Sequence, residues 1–167
     1  MSAAVSVGVA REDELAAVGD LVADTYVGGG FVAADSPYVA ELRAVRRRWL
    51  EADLLVARAE RGAVVGTVTF CLPQTPWTDV SGPGEAEFRM LAVAPSQQRR
   101  GIGGMLVGEC LRRGAAAGAT AIVISTTPTM TAAHLMYQSM GFVRRPERDW
   151  TPRDDVHLWT YWRVIER

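Results

Sequence analysis

The stretch Gln98-Arg99-Arg100-Gly101-Ile102-Gly103-Gly104 decides how this chain is read. It follows an apolar, strand-like run from Phe88 to Val93 and a breaker, Pro95, and it leads into a helical pattern through Leu106, Cys110 and Leu111. The glycines therefore fall at a strand-to-helix turn. A helix N-terminus presents unpaired backbone N–H groups and the positive end of the macrodipole, and glycines let a bulky anion approach the backbone. Arg99 and Arg100 add positive charge, so the stretch is a candidate phosphate-binding loop. The competing reading is a basic loop that only caps an ordinary helix.

A P-loop needs a Lys-Ser/Thr pair after its last glycine, but Met105 and Leu106 follow here, which excludes it. A dinucleotide fingerprint wants its third glycine two residues further on, and it fits poorly. The run does fill the pattern Gln/Arg-x-x-Gly-x-Gly/Ala through Gln98, Gly101 and Gly103. Downstream, Ala133 to Phe142 reads Ala-x-x-x-Tyr-x-x-x-Gly-Phe, with Tyr137, Gly141 and Phe142. Upstream, Glu87-Phe88-Arg89-Met90-Leu91-Ala92-Val93 is the strand that leads into the loop. In this order the three segments resemble the GNAT superfamily of acyl-CoA-dependent N-acetyltransferases.

The resemblance implies an α/β (α+β) single domain over residues 1–167, with a mixed, mostly antiparallel central sheet, a splayed parallel strand pair and helices on both faces. It implies acetyl-CoA as acyl donor and an amine as acceptor. The pyrophosphate would lie on Gln98, Arg99, Arg100, Gly101, Ile102, Gly103 and Gly104, and the pantetheine along the main chain of Leu91, Ala92 and Val93. Tyr137 would be the general acid, and Glu87 matches the strand glutamate used as base in some members. At the position seven before Tyr137, often an asparagine that helps hold the cofactor, this chain has Met130. Thr129 or Thr131 could replace that contact.

The chemistry asks for such groups. A lysine-like amine has a pKa near ~10.4, so about one molecule in a thousand is neutral at pH 7 and a base or water chain must take the proton. The departing thiolate benefits from a donated proton, which typically contributes ~10²–10⁴-fold. An ion pair with Arg89 is the plain alternative for Glu87. His134, three residues before Tyr137, competes as base, and its plain alternative is packing. Tyr137 itself could be a core ring resting on Phe142.

The 167 residues suit one domain, the apolar fraction of 49% is that of a globular protein, and no apolar run approaches the ~20 residues of a membrane helix. Met1 to Ala10 has no basic segment ahead of its apolar residues, which points to the cytoplasm. The net charge of -1 argues against nucleic-acid binding, which needs a concentrated basic face. Arg43, Arg46, Arg47 and Arg48 fall at helical spacing and read as a solvated face. Cys71 and Cys110 lack metal-ligand spacing and read as core thiols.

Alternation and punctuation give a strand through Val5, Val7 and Val9, a helix opened at Arg11, running through Val22 and broken by Gly28-Gly29-Gly30-Phe31, and a second helix from about Pro37 to Leu50. Strands follow at 54–59, 63–71 and 86–93. A helix at 103–113 is ended by Gly114, then come a strand at 121–125, a helix at 131–140, and strands from Phe142 and from Val156 to Ile165. The segment 73–85, with Trp77, is a long loop of functional type, and it hints at a narrow site for a small acceptor. Trp159, Tyr161 and Trp162 offer more apolar surface than a sheet edge needs, which suggests a homodimer. A non-catalytic acyl-CoA-binding module, or a protein N-terminal or lysine acetyltransferase, would share most of these features.

Overall fold

A computed structural model describes residues 4–166. Its strands are β1 Ser6–Val9, β2 Asp53–Arg58, β3 Val64–Cys71, β4 Glu85–Val93, β5 Ala121–Thr126, β6 Val143–Arg144, β7 Trp150–Arg153 and β8 Val156–Val164. Its helices are α1 Leu15–Gly28, α2 Tyr38–Arg43, α3 Val45–Glu51, α4 Ile102–Ala116 and α5 Thr131–Ser139. The strands run in the order β1-β2-β3-β4-β5-β8-β6, with β7 paired to β8. β4 and β5 are parallel, and β1/β2, β2/β3, β5/β8 and β6/β8 are antiparallel. The mixed, mostly antiparallel sheet with one parallel pair is thus the fold that forms. The parallel ladder joins Glu85, Ala86 and Glu87 to Ala121, Ile122 and Val123, and β4 continues past it to Val93.

The chain gathers into two compact units, Met1–Phe70 with Met90–Cys110 and Cys71–Arg89 with Leu111–Arg167. The first is built on β2 and β3, whose Leu54, Leu55, Val56, Ala57, Val68 and Phe70 are buried, together with Val18 and Val22 of α1. Gly66 of β3 has a packing reason: a Cβ there would come within 3.0 Å of Ile102 Cγ2 and Leu106 Cδ1, so the glycine lets the first turns of α4 close on the strand. The helix expected from Pro37 to Leu50 is broken at Ala44, where ψ is 53°. The cause is Arg48, a fully buried side chain that donates to the carbonyls of Glu41 (2.8 Å) and Leu42 (2.9 Å). Those carbonyls end α2 and take the Arg48 cation as a donor, the Glu41 carbonyl accepting the Ala44 N–H (3.2 Å) as well. The other arginines of the group pair at the surface, Arg43 with Asp20, Arg46 with Glu12 and Arg47 with Glu51.

In the second unit β5 is buried from Ala121 to Ile124, as its β-branched run predicts. Two expectations change. Gly114 does not end α4, which runs to Ala116; a Cβ at Gly114 would lie 2.7 Å from Ile165 Cδ1, so this glycine serves close packing and Gly118, with φ 78°, turns the chain instead. The turn expected at 149–155 contains the short strand β7, hairpinned onto β8.

The end of α5 explains the spacing Tyr-x-x-x-Gly-Phe. The Phe142 N–H donates to the Tyr137 carbonyl (2.9 Å) and the Gly141 N–H to the Gln138 carbonyl (3.1 Å), with Gly141 at φ 85°. This is a Schellman cap, completed by the apolar contact of the Phe142 and Tyr137 rings, whose centroids are 5.7 Å apart. A Cβ at Gly141 would meet nothing closer than 3.6 Å, so only the backbone opposes a side chain there. Gly141→Ala should therefore cost about 1–2 kcal/mol and lower the melting temperature by about 2–8 °C. Unchanged thermal denaturation would show that the cap does not need the left-handed residue.

Candidate active site

The candidate phosphate loop, Gln98 to Gly104, belongs to the first unit. Gln98 is extended, Arg99 has φ 61° and Gly101 has φ 80°, and α4 begins at Ile102. Left-handed residues in such a turn aim successive N–H groups into one concavity. The first helical bond runs from the Met105 N–H to the Gly101 carbonyl (3.0 Å), so helix geometry leaves the N–H groups of Ile102, Gly103 and Gly104 facing out of the helix end. A Cβ built on Gly101 or on Gly104 meets open space. Gln98 is not free to roam: its Nε2 donates to the Val93 carbonyl at 3.2 Å, tying the loop to the strand that leads into it. Arg100 donates to Gln97 Oε1 at 2.6 Å. In β4, Ala92 is buried while Leu91 and Val93 are half-buried. Met90 has φ 55°, yet burial alternates from Phe88 to Val93, with Phe88, Met90 and Ala92 buried and Arg89, Leu91 and Val93 half-buried.

Glu87 and Tyr137 belong to the second unit. Glu87 is 2% exposed, and its Oε2 accepts the N–H groups of Asp79 (2.9 Å), Val80 (3.2 Å) and Ser81 (3.2 Å). Burial lifts its pKa above the usual carboxylate value, against the lowering effect of the three N–H groups. Arg89 does not pair with Glu87; it pairs with Asp79 at 2.8 Å, donates to the Trp77 carbonyl at 3.1 Å and lies over the Trp77 ring. The Tyr137 ring is 3% exposed and packs among Phe88 (5.9 Å between centroids), Phe142 and Tyr161 (5.9 Å).

His134 is buried at 6% exposure and stacks on Trp159 (5.3 Å) and Tyr161 (5.4 Å). Its Nε2 lies 3.0 Å from the Thr127 carbonyl. A carbonyl only accepts, so in the neutral ring Nε2 carries the proton and Nδ1 the lone pair. Burial, with the nearby Arg144 charge, holds the His134 pKa below its ordinary value, against the opposite effect of the Thr127 bond. Met130 stands at the N-cap of α5 without a side-chain cap, and its sulfur lies 3.4 Å from Thr126 Oγ1. Cys71 is fully buried, and burial together with the Glu87 charge pushes its thiol up to about 12, which removes it as a nucleophile near neutral pH. Trp162 donates to Glu85 at 3.0 Å beneath Arg145, and Arg144 lies 4.5 Å from the Trp159 ring. The β8 aromatics are thus engaged within their own unit. Among the described residues no group of three His, Cys, Asp or Glu is placed to hold a metal, and no helix is long and apolar enough to cross a membrane.

The ion pairs around the site give the fold an acid limit. Asp149 is held below its ordinary pKa by the forked Arg144 pair (2.7 and 2.8 Å), helped by the Thr160 N–H. A lowered folded-state pKa means stability that is present above the unfolded value and lost as pH falls through the folded one. Asp149→Asn should therefore be less stable than wild type by about 1.5–3 kcal/mol at pH 7. Urea titrations should show the gap closing below about pH 4. A gap that persists to acid would mean that the carboxylate charge is not what Arg144 reads.

Residues 15–142 match the Acetyltransferase (GNAT) family. The chain belongs to that family. Its fold is shared with a GNAT acetyltransferase of Staphylococcus aureus Mu50 (TM-score 0.76, 14% identity, covering 98% of this chain and 100% of that one). It is shared also with the PaiA N-acetyltransferase of Thermoplasma acidophilum, solved in complex with coenzyme A (TM-score 0.77, 11% identity, 96% and 99% covered). YncA of Salmonella typhimurium, solved with its cofactor acetyl-CoA, gives a TM-score of 0.70 at 18% identity, with 98% and 95% covered. No curated protein matches the chain in sequence.

Proposed function

We propose that this protein is an acetyl-CoA-dependent N-acetyltransferase, one functional domain that moves an acetyl group to a primary amine of a small molecule in the cytoplasm. The observation that carries this is the N–H array at 101–104, opened by left-handed Arg99 and Gly101 and backed by the open Cβ positions of Gly101 and Gly104. A diphosphate fits such a concavity because its oxygens take several N–H groups at once, and Arg99 and Arg100 add charge outside it. Coenzyme A bound in the PaiA structure and acetyl-CoA in YncA support the same donor here.

The donor supplies an acyl group activated as a thioester. Gln98, Arg99, Arg100, Gly101, Ile102, Gly103 and Gly104 hold its pyrophosphate, and the main chain of Leu91, Ala92 and Val93 lines its pantetheine. Glu87 or a water takes the proton of the attacking amine; the raised pKa of Glu87 suits a group that must accept a proton near neutral pH. The Tyr137 hydroxyl, a phenolic O–H donor, gives a proton to the leaving thiolate. The Cys71 thiol stays protonated, so direct attack is favoured over an acyl-cysteine at that residue. A panel of small amines assayed for free thiol release from acetyl-CoA tests the reading. Release above the hydrolytic background with at least one amine supports it, and release with none leaves only a binding module.

A further inference from the structure

The segment between β3 and β4 has no regular secondary structure, yet alternate residues of β4 hold it along its length. Glu85 Oε2 accepts the Gly82 N–H at 2.8 Å, and its partner Arg148 donates to the Val80 carbonyl at 2.7 Å. Glu87 takes three successive N–H groups, from Asp79 to Ser81. Arg89 takes the Trp77 carbonyl and the Asp79 carboxylate. Residues two apart on a strand share a face, so Glu85, Glu87 and Arg89 form one charged row. The segment crosses that row in the opposite direction, from 77 to 82. Trp77 is tucked in at 7% exposure.

We propose that Trp77–Gly82 is a fixed strap along the Glu85, Glu87 and Arg89 face of β4, that it orients the Glu87 carboxyl, and that it closes this face to an extended polypeptide while admitting a compact amine. With Oε2 occupied by three N–H groups, Oε1 is the carboxyl oxygen left to act, and the strap decides where it points. A polypeptide acceptor would have to lift the strap, and so break the Glu87 and Arg89 bonds together, before its own backbone could lie along this row. The substrate part of the proposal rests on the acetyltransferase reading; the strap itself does not.

Arg89 is the positioning residue that tests it, because it holds the strap without touching Glu87. In Arg89→Leu the amides of Asp79, Val80 and Ser81 should exchange hydrogen about tenfold faster or more, as expected when charge-assisted bonds worth about 1.4 kcal/mol or more are lost. Arg89→Lys should recover part of the protection. In the same leucine variant the KM for a small amine should rise about fivefold or more while the KM for acetyl-CoA holds, since only acceptor-side binding is disturbed. Wild-type amides 79–81 exchanging as fast as open coil, or unchanged exchange in Arg89→Leu, would overturn the strap. A peptide lysine or N-terminus turned over more efficiently than every small amine would overturn its exclusion of polypeptide. If no amine is acetylated, the catalytic reading fails while the exchange result still decides the strap.

Discussion

Gly104→Val should abolish measurable acetyl-CoA binding while the protein stays folded. Gly104 lies in the first turn of α4, and a helical Cβ tilts toward the helix N-terminus, so the new side chain projects toward the N–H groups that would receive the diphosphate. Nothing in the protein opposes it: a Cβ at Gly104 meets open space, and the residue is not one of those with positive φ. Losing two charge-assisted hydrogen bonds at about 1.5–3 kcal/mol each weakens binding by about 10²–10⁴-fold. Gly108, one turn further along the same helix and equally open, is the control. Gly108→Ala should keep the affinity and gain about 0.5–1 kcal/mol of stability, because an interior helical glycine costs that much relative to alanine. Calorimetric titration with acetyl-CoA reads both variants; equal affinities would remove the helix N-terminus from the site. Gly101 is the poorer probe, since its φ of 80° strains any replacement.

Tyr137→Phe should lower the turnover number by about tenfold or more, with acetyl-CoA affinity nearly unchanged. The ring sits among Phe88, Phe142 and Tyr161, and phenylalanine keeps every one of those contacts. Any loss then belongs to the hydroxyl. The Schellman cap sharpens this test, because it accounts for the Tyr-x-x-x-Gly-Phe spacing by packing alone, through the Phe142 and Tyr137 rings and the left-handed Gly141. Wild-type turnover in the phenylalanine variant, where chemistry limits the rate, would make Tyr137 a cap residue and leave protonation to water.

The element order was legible because it rests on local signals: alternation in β2 and β3, the apolar run of β5, and the breakers around Pro95 and Gly141. What stayed hidden depends on partners distant in sequence. The break at Ala44 follows from a buried Arg48 that a helical wheel counts as a surface cation. Gly114 looks like a helix stop, yet it is there to let Ile165 approach. The strap was visible only as a long loop, because its order comes from Glu85, Glu87 and Arg89 on the next strand and not from any pattern of its own. The same bonds separate Glu87 from Arg89, whose spacing in the sequence suggests a pair. For the site, Gln98 to Gly104 carried its own chemistry in residue types and order. In the proposed mechanism the group that takes the amine proton is set by where Oε1 of Glu87 points, the direction assigned above to the strap.

In the proposed reaction the acetyl group passes directly from thioester to amine. Isotope-labelled acetyl-CoA, mixed with excess protein and the best small amine and quenched within one turnover, should leave the label on the amine nitrogen. One free coenzyme thiol should appear for each label, with none on the protein by mass spectrometry. Label retained on a protein side chain, or thioester left intact beside bound protein, would contradict it.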